Sequence, residues 1–161
     1  MLDPIQLEVD FSVALVRMLR HFNMLELNVG LTVAKLCKWA DPESPSPRLS
    51  TMSLEKKVVE FRRLSEKCNL IRSDAQREEL ERWSARVDEV RSVRNVYAHG
   101  HWDLLPLRAE HPVSLFAPPW MHKKLGITSE IKMTLGDLQR KALLAENVGR
   151  DFMTIRRKLG L

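Results

Sequence analysis

The feature of the sequence that most restricts the fold is the repetition of apolar residues at helical spacing. In the first stretch these residues are 4, 3, 4, 3 and 4 positions apart, which places their side chains on one side of a helix. They are Phe11, Leu15, Met18, Phe22, Leu25 and Val29, continued at similar spacing by Val33, Leu36 and Trp39. A first long helix is therefore predicted from Phe11 to about Ala40, with Asn28 and Gly30 as the points at which it would bend.

The segment DPESPSPRLS interrupts this pattern. It contains Pro42, Pro45 and Pro47, whose rings remove backbone donors and restrict the residue before each proline. A loop is therefore predicted over residues 41–52.

A second helix is predicted from about Leu54 to Ile71. Ser53 is a residue type that caps helix N-termini, and the residues predicted to be buried are Val58, Phe61 and Leu64. A third helix follows, because Ser73 and Gln76 have the spacing of a capping box. Its apolar stripe consists of Leu80, Trp83, Val87, Val90 and Tyr97, and Arg94 occupies a position where the pattern calls for an apolar residue.

A last helix is predicted near the end of the chain. Thr134 and Asp137 again have capping-box spacing, and the apolar positions that follow have helical spacing. These positions are Leu138, Ala142, Ala145, Val148, Phe152, Ile155 and Leu159.

Residues 101–134, between the third and last helices, have a different character. The segment WDLLPLRAEHPVSLFAPPW has short apolar runs and prolines but no helical period, which indicates a β-hairpin or an irregular excursion, and SEIKMT suggests another short strand. The predicted fold is all-α: a four-helix bundle with a small β-hairpin excursion between the third and fourth long helices, in a single domain over residues 1–161.

Composition excludes several classes of protein. The balance of 44% hydrophobic and 29% charged residues is that of a globular chain rather than a disordered or membrane protein. The first ten residues, MLDPIQLEVD, are acidic where a signal peptide would be basic, so a cytoplasmic location is expected, with Cys37 and Cys68 as reduced thiols. The net charge of +5 favours an anionic partner such as RNA but does not require one.

Residues 91–102, RSVRNVYAHGHW, concentrate polar side chains in the last turns of the third helix. Arginine is rarely buried without a partner, so Arg94 could form a structural ion pair, for example with Glu26, or extend its guanidinium to water, or bind a ligand. Asn95 and His99 are four residues apart and share a helix face, whereas His99 is rotated by about 140° from Arg94. Gly100 is expected to end the helix and leave the His99 ring free to project.

No metal site or cofactor is predicted from these residues. His99 and His101 have a spacing that can serve a metal when the two are strand neighbours, but no Asp, Glu or Cys is placed to complete a ligand set. The phosphate-binding motif GxxxxGK does not occur in the sequence.

The segment RNVYAHG resembles the motif of the HEPN superfamily (higher eukaryotes and prokaryotes nucleotide-binding domains), with Arg94, Asn95 and His99 at the motif positions. The resemblance covers about seven residues and agrees with a bundle of four helices, but residues 101–134 exceed a minimal HEPN domain. It implies a metal-independent endoribonuclease that acts as a homodimer, with toxin or antiviral roles and a cognate antitoxin. Other members have lost activity and bind a nucleotide, RNA or a protein. A structural bundle in which Arg94 forms a buried ion pair is the third alternative.

These residue types suit cleavage of RNA. A base that titrates near neutrality, as histidine does, can take the proton of the attacking 2′-hydroxyl, and an arginine can stabilise the charge that develops on the phosphate. Asn95 would contact the phosphate or orient His99. The leaving oxygen needs an acid. This acid is expected to be His99 of the second chain in a homodimer, in which the ends of the third helices approach the two-fold axis. His101 of the same chain is the alternative acid.

Further contacts with the substrate are predicted for residues close to the motif. Arg91, His101 and Trp102 are expected to bind RNA. Trp102, Trp120 and Phe116 could stack on bases, or they could fill the space between the hairpin and the helices.

Overall fold

The computed structural model describes residues 3–41, 49–108, 110–116, 122 and 130–161. In these ranges the chain forms four α-helices and a small sheet, which confirms the prediction of a mainly helical protein. The helices are α1 (Pro4–Ala40), α2 (Leu54–Lys67), α3 (Asp74–His99) and α4 (Leu135–Lys158), and the strands are β1 (His101–Leu104), β2 (Val113–Phe116) and β3 (Ile131–Met133). None of the helices in these ranges combines the length and the hydropathy that a bilayer crossing requires.

The chain groups into two compact units, each assembled from separate stretches of sequence. The first comprises Met1–His21 and Val90–Glu146, and the second comprises Phe22–Glu89 and Asn147–Leu161. Nothing in this grouping tests the predicted single domain, which stays a prediction.

In the first unit, the sheet is antiparallel with the order β1-β2-β3. His101 pairs with Phe116 at one end of the β1–β2 ladder and Leu104 pairs with Val113 at the other, while Val113 also pairs with Met133 of β3. The predicted hairpin and the predicted strand in SEIKMT are therefore both confirmed. The central strand β2 is buried, and the apolar core of this unit consists of Leu7, Phe11, Ala14, Met18, Val90, Tyr97, Val113, Leu115, Met133, Leu138, Ala142 and Ala145.

In the second unit, three aromatic rings form the centre of the core. Phe61 lies edge-on to Trp83 and Phe152, with centroid distances of 6.1 and 5.4 Å, and Trp83 stacks on Phe152 at 5.0 Å. The indole nitrogen of Trp83 donates to the carbonyl of Val148 at 3.1 Å, so this buried polar atom has a partner. Each of the three rings comes from a different helix, α2, α3 or α4, so the cluster joins these helices.

The helix ends differ in places from the predictions. Helix α1 begins at Pro4 rather than Phe11, because Asp3 accepts a hydrogen bond from the amide of Ile5 and proline is favoured in the first helical turn. It runs without interruption past Asn28 and Gly30. Trp39 is 50% exposed and lies beside Lys35, so it does not continue the buried stripe.

Helix α2 ends at Lys67, so the predicted end at Ile71 is wrong. Asn69 adopts a left-handed backbone conformation with φ of 54°, and the amide of Leu70 donates to the carbonyl of Ser65 at 2.9 Å. These are the features of a left-handed helix C-cap, formed here by asparagine instead of the more usual glycine.

The predicted N-caps are confirmed. Ser53 accepts a hydrogen bond from the amide of Lys56, and Ser73 accepts one from the amide of Gln76. Thr134 and Asp137 form a reciprocal capping box with distances of 2.8 and 3.0 Å.

Parts of the two predicted connections lie outside the described residues. In the predicted loop over 41–52, positions 42–48 are outside, and Leu49–Thr51 form a single 3-10 turn. In the excursion over 101–134, positions 109, 117–121 and 123–129 are outside, and with them Trp120.

Gly100 follows the last residue of α3 and is required by close packing. A Cβ atom at this position would lie 2.2 Å from Cδ1 of Leu115, a fully buried residue of β2, and 2.9 Å from the carbonyl oxygen of Val96. The expected end of α3 at Gly100 is confirmed, and the absence of a side chain lets the helix end pack directly on the sheet.

Gly100→Ala is expected to lower the free energy of unfolding by about 1–3 kcal/mol, because the added methyl group overpacks a site that cannot expand. The matched control is Gly149→Ala in α4, where an added Cβ meets no atom within 4 Å. That variant is expected to raise the free energy of unfolding by about 0.5–1 kcal/mol, since alanine favours a helix over glycine. Denaturant unfolding of the three proteins measures both effects; equal stability of the two variants would contradict the packing argument.

Candidate functional site

The candidate site lies in the last turns of α3, where the helix continues without a break through His99. Val90 and Tyr97, the neighbours of Arg94 in the predicted stripe, are buried. Arg94 itself is half-buried, and its Nε atom is inaccessible to solvent. The structure therefore confirms that the arginine occupies a position on the side of the helix that faces the core.

The guanidinium of Arg94 is in contact with the next residue of the motif. Its Nη1 donates to Oδ1 of Asn95 at 3.3 Å. Glu26, which the sequence offered as an ion-pair partner for Arg94, accepts a hydrogen bond from Nζ of Lys57 at 2.7 Å, and its pairing with Arg94 stays a prediction.

His99 is exposed at the end of α3, as the sequence predicted. Five residues separate it from Arg94, so the two side chains leave the helix about 140° apart and about 7.5 Å apart along its axis. Asn95 lies between these two side chains. It accepts the hydrogen bond from Arg94, and it is one turn before His99 on the same face of the helix. Asn95 thus gives the motif a physical link between its charged and its titratable residue.

Trp102 anchors the start of the hairpin to the helices of the first unit. Its ring meets Phe11 and Tyr97 edge-on, each with a centroid distance of 5.0 Å. Its Nε1 donates at 3.0 Å to the carbonyl of Tyr97, one of the last carbonyls of α3, which lack helical partners. These contacts agree with the packing interpretation of Trp102, whereas its predicted contact with RNA stays a prediction.

His101 lies two residues beyond His99 and is largely exposed, with 76% of its side chain accessible. Its Nε2 is 3.6 Å from Oδ1 of Asp103. Sequence reasoning missed Asp103, although the alternation of side chains along a strand places residues two apart on the same face. The other predicted contacts, Arg91 and Phe116, are half-buried.

Tyr97 is buried directly beneath the site. Burial and the nearby Asp137 carboxylate raise the pKa of the Tyr97 hydroxyl to about 12. The hydroxyl donates a weak hydrogen bond to the sulfur of Met133 at 3.7 Å. Tyr97 therefore stays neutral and serves the core rather than proton transfer.

No group of three or more His, Cys, Asp or Glu side chains in the described ranges could hold a metal ion. The chain matches no model of a protein family, no curated protein and no solved structure.

The raised pKa of Tyr97 predicts a loss of stability in alkaline solution. The unfolded chain would release the hydroxyl proton near the ordinary value of 10, while the folded chain retains it to about 12. The free energy of unfolding should therefore fall between these two pH values, by no more than about 1.4 kcal/mol per pH unit from this one group.

Tyr97→Phe should remove that fall, because phenylalanine has no proton to release. Tyr97 is the only tyrosine in the chain, so the ultraviolet absorbance of tyrosinate reports its titration directly. A folded protein whose tyrosinate signal appears at the ordinary pKa would contradict the burial argument.

Proposed function

We propose that this protein is a metal-independent endoribonuclease of HEPN type, built as a bundle of four helices. The observation that supports the proposal most is the arrangement at the end of α3, where Arg94, Asn95 and an exposed His99 occupy two consecutive turns with Arg94 hydrogen-bonded to Asn95. The basic net charge of +5 suits a polyanionic substrate.

In the proposed reaction His99 takes the proton of a ribose 2′-hydroxyl as general base. The 2′-oxygen forms a bond to the adjacent phosphorus, the bond from phosphorus to the 5′-oxygen breaks, and that oxygen takes up a proton. The products are a 2′,3′-cyclic phosphate and a 5′-hydroxyl end. Arg94 binds the phosphate and stabilises its developing charge, and Asn95 holds the guanidinium in place.

The acid that protonates the 5′-oxygen has two candidate sources. One is His99 of a second chain in a homodimer, and the other is His101 of the same chain. His101 lies two residues beyond His99, and its Nε2 is 3.6 Å from Oδ1 of Asp103.

The proposed role in the cell is that of a toxin or antiviral effector that cuts cytoplasmic RNA and is neutralised by a cognate antitoxin. Arg91 and the exposed part of Trp102 are proposed to contact the RNA next to the cleaved bond. The basic charge and the exposed His99 at the end of α3 support this role.

His99→Ala is expected to fold normally and to cleave single-stranded RNA about 10²- to 10⁴-fold more slowly than the wild type, which is the scale of one acid–base group. Cleavage is measured in EDTA on an RNA panel, with analysis of the product ends. The matched control is His111→Ala, which removes an exposed histidine outside the motif and should retain wild-type activity. A DNA of the same sequence should stay intact because it lacks the 2′-hydroxyl.

Equal cleavage by the wild type and His99→Ala would contradict the ribonuclease proposal, as would an absolute requirement for added divalent metal. RNA binding without cleavage would instead support a non-catalytic HEPN module that binds through the same residues.

His101→Ala distinguishes the two sources of the acid. If His101 protonates the leaving oxygen, the variant should lose about 10²-fold or more in rate and recover activity on a substrate with a leaving group that needs no proton. If His99 of a second chain is the acid, the variant should keep nearly full activity, and the wild-type activity per chain should fall on dilution below the dimer dissociation constant.

A further inference from the structure

The two cysteines of the chain lie near the ends of α1 and α2, and both belong to the second unit. Cys37 is in the last turn of α1, and Cys68 directly follows α2. Both are half-buried free thiols, so each is partly accessible to solvent. Because the chain has no other cysteine, a disulfide within one chain can join only these two residues.

Contacts of α1 with α2 show how the two helices run past each other. Nζ of Lys57 donates to Oε1 of Glu26 at 2.7 Å, and a Cβ added at Gly30 would lie 3.8 Å from Cδ of Lys57. Ten residues later in α2, the charge of Lys67 acts on the thiol of Cys37. Later positions in α1 therefore meet later positions in α2, so the two helices are parallel in this region.

The positions of the two cysteines repeat those of the ion pair. Cys37 is eleven residues after Glu26, and Cys68 is eleven residues after Lys57. Eleven residues are three helical turns, which advance the chain by about 16 Å and rotate it by only about 20°. The amide of Cys68 donates to the carbonyl of Leu64 at 2.9 Å, so the helical path of α2 extends to this residue. In parallel helices, equal steps place Cys37 next to Cys68 as Glu26 lies next to Lys57.

The electrostatics of the two thiols agree with this placement. Burial raises the pKa of the Cys37 thiol, and the Glu60 carboxylate and Cys68 raise it further. Cys68 is therefore close enough to Cys37 to affect its ionisation. Since the thiolate is the attacking form of cysteine, Cys37 is poorly suited to the first attack on an oxidant, which falls to Cys68.

We propose that Cys37 and Cys68 form a redox pair, which a small-molecule disulfide converts into an intramolecular disulfide between the ends of α1 and α2. The thiolate of Cys68 attacks one sulfur of the small disulfide, forms a mixed disulfide and releases one small thiolate. The thiolate of Cys37 then attacks the Cys68 sulfur and releases the second small thiolate. The protons of the two cysteines pass to these thiolates, so one small disulfide is reduced to two thiols while the protein is oxidised.

This proposal is independent of the proposed ribonuclease activity. It rests on contacts between α1 and α2 in the second unit, whereas Arg94 and His99 belong to the first. The bridge closes a loop over residues 37–68, which includes the whole of α2. It therefore holds α2 against α1 when the surroundings become oxidising.

Mass spectrometry of the native protein tests the pairing. Reduced wild type treated with oxidised glutathione should lose two hydrogen atoms per chain, and trypsin should release a fragment that joins Leu36–Lys38 to Cys68–Arg72. Cys37→Ser and Cys68→Ser should each retain one glutathione, because no second thiol is present to displace it. A wild type that retains glutathione without forming the bridge, or that forms disulfides only between chains, would overturn the proposal.

Trp39→Cys in a Cys37→Ser background is the matched control for position. It moves the thiol of α1 by two residues, which is about 200° around the helix, to a site that is 50% exposed. This variant should carry glutathione on both thiols instead of forming the bridge. Bridging as efficient as in the wild type would show that the native position of Cys37 is not what allows the disulfide, and would overturn the proposal.

Urea unfolding tests whether the bridge fits the native structure. Oxidised wild type should unfold at a higher urea concentration than reduced wild type, because the cross-link over residues 37–68 restricts the unfolded chain. Cys37→Ser treated with the same oxidant should show no such rise. A lower midpoint for the oxidised wild type would mean that the bridge displaces the helices from their native positions, and would overturn the proposal.

Discussion

The contact between the end of α3 and the central strand of the sheet fixes the junction between the helix and the hairpin, next to which the candidate site lies. Gly100 lacks a side chain at the point where Leu115 of β2 approaches the helix end, and Trp102 then donates to the carbonyl of Tyr97. The first contact sets how closely the sheet approaches, and the second satisfies a backbone group that the helix leaves without a partner. Together they hold the junction at which α3 ends with His99 and β1 begins with His101.

The motif combines a half-buried residue, Arg94, with an exposed one, His99. Arg94 is part of the buried side of α3, where its guanidinium is held by Asn95, whereas His99 projects from the exposed end of the same helix. A group held in this way loses little entropy when it binds a ligand, and an exposed histidine can exchange protons with water. The helix directs these two side chains to different sides, and Asn95, which is hydrogen-bonded to Arg94 and one turn before His99, lies between them.

Much of the fold could be predicted from the sequence because burial imposes a regular spacing. The predicted apolar positions of the last helix, from Leu138 to Ile155 in α4 and Leu159 just after its end, are all buried, and the residue types at the N-caps indicated where α2, α3 and α4 begin. The end of α2 could not be predicted in this way, since Asn69 takes up a left-handed conformation that its sequence context does not reveal. The site was predicted in part. The exposure of His99 and the end of α3 at Gly100 were predicted from the sequence. The proximity of Asp103 to His101 was not, because it depends on the strand that forms there. The exposure of Ile5, Val9, Val13 and Val16 in α1 was not predicted, because this helix carries apolar residues on more than one face and the other elements decide which face is covered.

The assembly of each compact unit from distant stretches of sequence has a consequence for synthesis on the ribosome. The first unit needs residues as far as Glu146, and the second needs the segment that follows it, including Phe152, to complete its aromatic cluster. Neither unit can therefore complete its core until most of the chain has been translated. Until then Phe61 and Trp83 lack the ring that they pack against, so the nascent chain exposes apolar surface of the kind that chaperones bind.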